Sequence, residues 1–200
     1  MAQRGGEQTR RRILKAATGL FAERGYERVT MKSIAAHCGV TESALYRHYS
    51  SKASLYSAVL SAAGTQVDVQ GALAALDRTD DLGDILSGLA QLVITRFTRE
   101  CQVTRLLLHS SLENHPRSWQ AFREIRRPLV EFLARKLRTL QRRGDIQNIH
   151  AVITARCFVG MVMDCALCQD LWWKVQGRVY APRRVIANNV QIYMRGLIRS

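Results

Sequence analysis

The chain has 200 residues and carries 30 Lys and Arg against 16 Asp and Glu, a formal net charge of +14 that points to a polyanionic partner as well as to solubility. Its longest apolar run, residues 157–168, contains Asp164 and falls short of the roughly 20 residues that span a bilayer, and the polar, Arg-rich beginning argues against a secretory signal. Five cysteines, an odd number scattered among apolar residues, suit a reducing cytoplasm better than a disulfide framework.

From Thr9 onward, Ile13, Ala17, Leu20 and Phe21 follow i, i+4, i+7, i+8 spacing, the apolar stripe of an amphipathic helix. Gly25 should end that helix and Tyr26 plug the turn. Residues 1–6 are expected to be mobile, which would let Arg4 and Arg10 to Arg12 reach a minor groove or phosphates. Residues 31–50 then predict two short helices joined by Gly39, the layout of a helix-turn-helix whose second helix enters the DNA major groove. Thr30 and Thr41 are placed to cap these helices, and Gly39 sits where a positive φ is needed. Ile34, Ala35 and Cys38 form the inner face of the first helix, and Leu45 and Tyr49 that of the second. The outer face of the second carries Ser43, Ala44 and Arg47, flanked by Tyr46 and His48. A further helix opens near Lys52, with Leu55, Tyr56, Val59 and Leu60 at helical spacing.

The stretch from Thr9 to Leu60 resembles the N-terminal domain of the TetR family of bacterial transcriptional regulators. The resemblance rests on Ile13-Leu14-x-Ala16-Ala17-x-x-Leu20-Phe21, Gly25-Tyr26, Thr30, Ile34-Ala35, Gly39-Val40-Thr41, Leu45-Tyr46-x-His48-Tyr49 and Lys52. It covers about a quarter of the chain. Tyr49 stands where the family more often has Phe, and its hydroxyl should reach the edge of the core. The resemblance, with the helical wheel, implies a DNA interface of Thr30, Thr41, Ser43, Ala44, Tyr46, Arg47, His48 and Lys52. Thr41, Tyr46, His48 and Lys52 would grip phosphates, while Ser43, Ala44 and Arg47 face bases, with a phosphate as the alternative partner of Arg47.

Residues 63–84, rich in Gly, Asp and Ala, mark a junction between modules. Beyond it, one stripe runs from Ile85 to Phe97, another from Val103 to Leu112, and a third from Trp119 to Leu140 in a long helix that Gly144 should end. Pro128 lies inside that helix and demands a kink or a break. Two helices follow, over roughly residues 149–171 and 182–198. Strand alternation and internal repeats are absent from the sequence pattern. The class is all-α, with about nine helices: a three-helix DNA-binding domain over residues 8–68 and a larger helical domain over 69–200.

Members of the family use this second domain to pair subunits through the last two long helices and to enclose a small molecule. By that resemblance the pocket candidates begin with Leu108, His109, Leu112, Trp119 and Phe122. Phe158, Met161, Asp164, Cys165 and Trp172 complete the set, although each also fits plain core packing. Asp164, between Met163 and Cys165, would be costly to bury unpaired, and could meet a ligand, an arginine, a partner subunit or a structural salt bridge. Trp172 and Trp173 would close the pocket or lie in the dimer seam. The stripe Ile186, Val190, Tyr193 and Leu197, near the chain end, is the candidate seam. The arginine-rich segment 117–143 reads as a solvated helix face, with a second nucleic-acid surface or an anionic ligand as alternatives.

An enzyme fits poorly. Cys165 and Cys168 have C-x-x-C spacing without the strands of a redox fold or further zinc ligands, and the cysteines instead read as packing residues. No catalytic residue, metal or cofactor is expected. An architectural DNA-binding protein would explain the diffuse charge but leave the apolar second domain without a task. The expected protein is a cytoplasmic, homodimeric repressor that leaves double-stranded operator DNA when an unidentified small molecule binds, with no membrane partner.

Overall fold

A computed structural model describes residues 2–66, 69–99, 101–167 and 180–198. Among them ten helices follow in order: α1 (Ala2–Arg24), α2 (Met31–Cys38), α3 (Glu42–His48), α4 (Lys52–Gln66) and α5 (Gln70–Leu76), then α6 (Leu82–Arg99), α7 (Cys101–Leu112), α8 (Pro116–Arg143), α9 (Ala151–Leu167) and α10 (Pro182–Leu197). The architecture is all-α, as the periodicity predicts. The short α5 lies inside the stretch read as a junction, its Ala and Leu content outweighing one glycine. The chain forms two compact units, Met1–Gln66 with Cys101–Glu124, and Val67–Glu100 with Ile125–Ser200.

In the first unit α1 is the spine, against which α2, α4 and α7 pack. Ile13, Ala17 and Phe21 are fully enclosed, with Ile34, Leu45, Leu55, Tyr56 and Leu60 around them. At about 1.5–3 kcal/mol for each large apolar side chain, this burial far outweighs any surface pairing. α1 starts at Ala2, ahead of Thr9, so residues 2–6, expected to be mobile, are helical here. Local bonds support the extra turns: Arg11 pairs with Glu7 at 2.8 Å across one turn, and the Thr9 hydroxyl donates to the Gly5 carbonyl. The compact unit also takes in α7, whose Val103, Leu106 and Leu107 are buried.

In the second unit α6 is central, with α5, α9 and α10 packed on it. This explains why Ile85, Leu86, Leu89, Ala90, Val93 and Ile94 are buried over more than one face. Gly88 leaves α6 bare where the Leu76 side chain of α5 lies. α8 runs unbroken through Pro128 for 28 residues, so the proline does not end it. Buried Ile125, Leu129, Phe132 and Leu133 on either side offset the roughly 3 kcal/mol of a mid-helix proline. On α10, Ile186, Val190 and Leu197 are buried within the protomer, and Tyr193 meets Phe158 edge-on at 4.9 Å.

The arginine run is only partly a solvated face. Lys136, at its centre, is 5% exposed and donates to the carbonyls of Asp77 and Thr79 and to the Asp80 carboxylate. Arg135 and Arg143 clasp Asp77 and Asp80 from outside, at 3.0 and 2.6 Å. The Arg135 hydrogen bond holds the Asp77 carboxyl below its ordinary 3.8, Lys136 adding to it, and Arg143 with Lys136 does the same for Asp80. Lowered folded-state values mean stability that is present at neutral pH and lost as pH falls from about 4 downward. Lys136→Met should therefore lower the stability of the neutral protein by about 1–2 kcal/mol and flatten its loss of stability in acid. Urea titrations at neutral and acid pH check both; parallel acid profiles for the two proteins would show that the clasp contributes nothing.

Cys38 fills the α1–α2 core as expected, and burial pushes its thiol up, with Arg12 opposing. Cys165 is half-buried, its thiol also raised by burial. Cys157 departs from the packing role. It lies exposed on α9, because the helix turns that residue away from the buried side carrying Phe158 and Val162. Cys168 lies outside the described residues.

Candidate nucleic-acid interface

The two helices of the reading head are held by their caps. Thr30 and Ser33 form a reciprocal box, each backbone N–H donating to the other's hydroxyl at 3.1 Å. Gly39 closes α2 at φ +64°, a conformation that a side chain would resist, and its N–H donates to the carbonyls of Ala35 and Ala36. Thr41 caps α3 by accepting the Ala44 N–H at 3.2 Å. Leu45 is fully buried and Tyr49 nearly so, which pins α3 by its inner face. Thr30, Thr41, Ser43, Tyr46 and Arg47 are exposed, while Ala44, His48 and Lys52 are half-exposed. One surface thus offers hydroxyls and cations around a helix of major-groove diameter. Residues 1–62 carry 10 basic and 4 acidic side chains, which favours a polyanion on this unit.

Behind the head lies a polar knot that the sequence did not reveal. Glu113, just past α7, accepts the Tyr26 N–H at 2.9 Å and the Tyr56 hydroxyl at 3.2 Å. Tyr56 is fully buried, edge-on to Phe21 and His115 and tilted against Tyr26, with ring centroids 4.7–4.9 Å apart. Burial, with the Glu113 carboxylate, pushes its phenol well above the usual range. Lys52 donates to the Tyr26 carbonyl at 3.0 Å and lies over the Tyr26 ring. The peptide groups of one residue, Tyr26, therefore join a carboxylate after α7 to a lysine expected at the DNA backbone. Gly25 makes room: a Cβ there would sit 2.9 Å from the Glu113 carboxylate.

The family described as bacterial regulatory proteins, tetR family, matches residues 13–59, the span just built. This stretch is a DNA-binding domain of the TetR family. The chain is a DNA-binding transcriptional regulator and not an enzyme. Among relatives, the transcriptional regulator UidR of Escherichia coli strain K12 is 26% identical over 159 residues, 78% of each chain. The transcriptional regulator TtgR of Pseudomonas putida is 34% identical over 110 residues, 54% of this chain and 52% of its own. Two solved structures share the fold. AibR, in complex with isovaleryl coenzyme A and operator DNA, has a TM-score of 0.70 at 24% identity, covering 92% of this chain and 97% of AibR. A tetR-family regulatory protein from Rhodococcus RHA1 has a TM-score of 0.71 at 22% identity, covering 96% and 98%.

The TetR-type pocket candidates fall in both units. In the first, Leu108, His109 and Phe122 are half-buried, whereas Leu112 is 82% exposed and Trp119 is also exposed. In the second, Phe158 is fully buried against Tyr193, and Met161 and Cys165 are half-buried, with Cys165 accepting from Asn189. Asp164 is exposed, so the penalty for burying its carboxylate does not arise. Trp172 and Trp173 lie outside the described residues.

The interface makes one substitution series informative. Tyr46→Phe should weaken binding to all sequences alike, as expected of a phosphate contact, whereas Arg47→Ala should also relax preference at one base pair by about 1–3 kcal/mol. Titrating both variants against single-base operator variants separates these roles. Unchanged preference in Arg47→Ala would assign that side chain to a phosphate.

Proposed function

We propose that this protein is a ligand-responsive repressor of the TetR family that works in the cytoplasm as a homodimer and leaves its operator when a small molecule binds beyond the reading head. The observation that carries this reading is the pinned α3, with Ser43, Tyr46 and Arg47 outward, tied through Glu113 to the end of α7. A ligand that prefers one arrangement of α7 shifts the population of DNA-competent heads by its differential affinity alone. The solved AibR complex pairs an acyl-CoA with operator DNA, which supports the same pairing of ligand classes here without naming the ligand. No helix among the described residues is long and apolar enough to cross a membrane.

The dimer seam we propose is the outward side of α9 and α10. Both helices pack on α6 by their inner faces. Their outer faces expose Ile153 (57%) and Ile192 (58%), large apolar groups that a second copy would cover. Two-fold pairing would set two α3 helices in successive major grooves, about 34–36 Å apart. The stripe Ile186, Val190, Tyr193 and Leu197 supports that seam from inside the protomer.

The test is release. Operator-bound protein, followed by fluorescence anisotropy, is exposed to fractions of the low-molecular-mass pool of its host cells. At least one fraction should free the DNA; release by none would favour the architectural reading.

A further inference from the structure

Tyr49, the position at which this chain departs from the usual family residue, does more than fill the core. It caps α3, its N–H donating to the Leu45 carbonyl at 3.0 Å, so its ring is fixed by the end of the recognition helix. The ring is 4% exposed, and a phenol that deep needs a hydrogen-bond partner for its oxygen. That partner is Arg10 of α1, whose Nε donates to the hydroxyl at 3.3 Å while its guanidinium carbon lies 5.6 Å from the ring centroid. The hydrogen bond to Tyr49 raises Arg10 above the usual guanidinium range, and a guanidinium is in any case charged at every working pH.

Arg10 is exposed on α1, beside Tyr49 and the C-terminal end of α3. It borders a groove of about 920 Å³ that also touches Arg11 and His48, with Gly6, Ala58 and Ala62 keeping it open. Arg11 is drawn off by its ion pair with Glu7. A guanidinium has five N–H donors in a planar fork, and engaging Nε leaves both terminal amino groups for an anion. A phenylalanine at 49 would leave the same arginine untethered, with its rotamers free.

We propose that Tyr49 is a positioning residue that holds Arg10 as a phosphate contact on operator DNA, extending the interface from α3 onto α1. This rests on the DNA-binding role of the head, and its test separates the two. The full-length protein is titrated by anisotropy with its selected operator and with a random-sequence duplex, each of about 30 base pairs, long enough for two half-sites. Salt is varied between about 0.05 and 0.2 M.

Arg10→Ala should weaken both duplexes by a similar factor, about fivefold, and reduce the log–log salt slope by about 0.9, one phosphate contact. Tyr49→Phe, which keeps the ring, should weaken both about threefold and have no further effect in the Arg10→Ala background. Arg10→Lys, which retains the charge but cannot give one N–H to the phenol and a planar fork to the phosphate at once, should resemble Tyr49→Phe, so the result does not depend on removing the cation. Tyr49→Phe indistinguishable from wild type, or additive with Arg10→Ala, would overturn the proposal and leave the hydroxyl a core edge. Failure of the wild type to bind either duplex would instead refute the DNA-binding role itself.

Discussion

Ile192→Glu should give a folded monomer, and its operator affinity should fall by about 10²–10⁴, because binding two half-sites as one unit is lost with the dimer. The side chain is more than half exposed on α10, so a carboxylate there stays solvated in the protomer and is buried only across the seam. Ile153→Glu on α9 should act the same way. Val190→Glu is the informative contrast. Val190 is 9% exposed inside the protomer, so a charge there lacks both water and partner and should unfold the second unit, at a cost above about 3 kcal/mol. Circular dichroism with analytical ultercentrifugation distinguishes the outcomes. A fully dimeric Ile192→Glu at low micromolar concentration would move the seam off these helices.

The second large effect concerns Glu113. Glu113→Ala removes the acceptor of the Tyr26 N–H and of the Tyr56 hydroxyl, at a cost of about 1–3 kcal/mol. For a chain of this size that is a fall in melting temperature of about 3–10 °C. The functional consequence should be larger. With Tyr26 no longer held from both sides, Lys52 and the start of α4 lose their fixed relation to the end of α7. Operator affinity should drop, and whatever small molecule releases the wild type should release the variant less steeply. Glu113→Gln, which keeps a carbonyl acceptor, should recover most of the stability. Wild-type melting and wild-type release in Glu113→Ala would show the knot to be incidental.

The reading head was legible in the sequence because its signals are local. Thr30 and Thr41 sit one residue before their helices, Gly39 stands where the chain must turn left-handed, and Leu45 and Tyr49 are one turn apart. Such features depend on neighbours within four residues. Helix partnering was not legible in the same way. The stripe Ile186, Val190, Tyr193 and Leu197 shows that one face of α10 is buried, but periodicity does not say whether its own chain or a second copy covers it. The sparse outward pair, Ile153 and Ile192, leaves no stripe to notice. The compact unit that includes α7 was invisible for the same reason, since any amphipathic helix would show that pattern. Glu113 and Tyr26 are 87 residues apart, and Lys136 meets its aspartates across more than 50. An isolated charge in a sequence carries no record of such partners. The Tyr49 hydroxyl, expected at the edge of the core, is there, and only the structure shows Arg10 waiting for it.

The most direct test of the whole account is to titrate a pool of genomic fragments with the purified protein and sequence what it retains. The wild type should retain a small set of fragments sharing a two-fold symmetric site, its halves about one or two helical turns apart, and Ile192→Glu should lose them. Retention spread evenly over the genome, unchanged in Arg47→Ala, would contradict it.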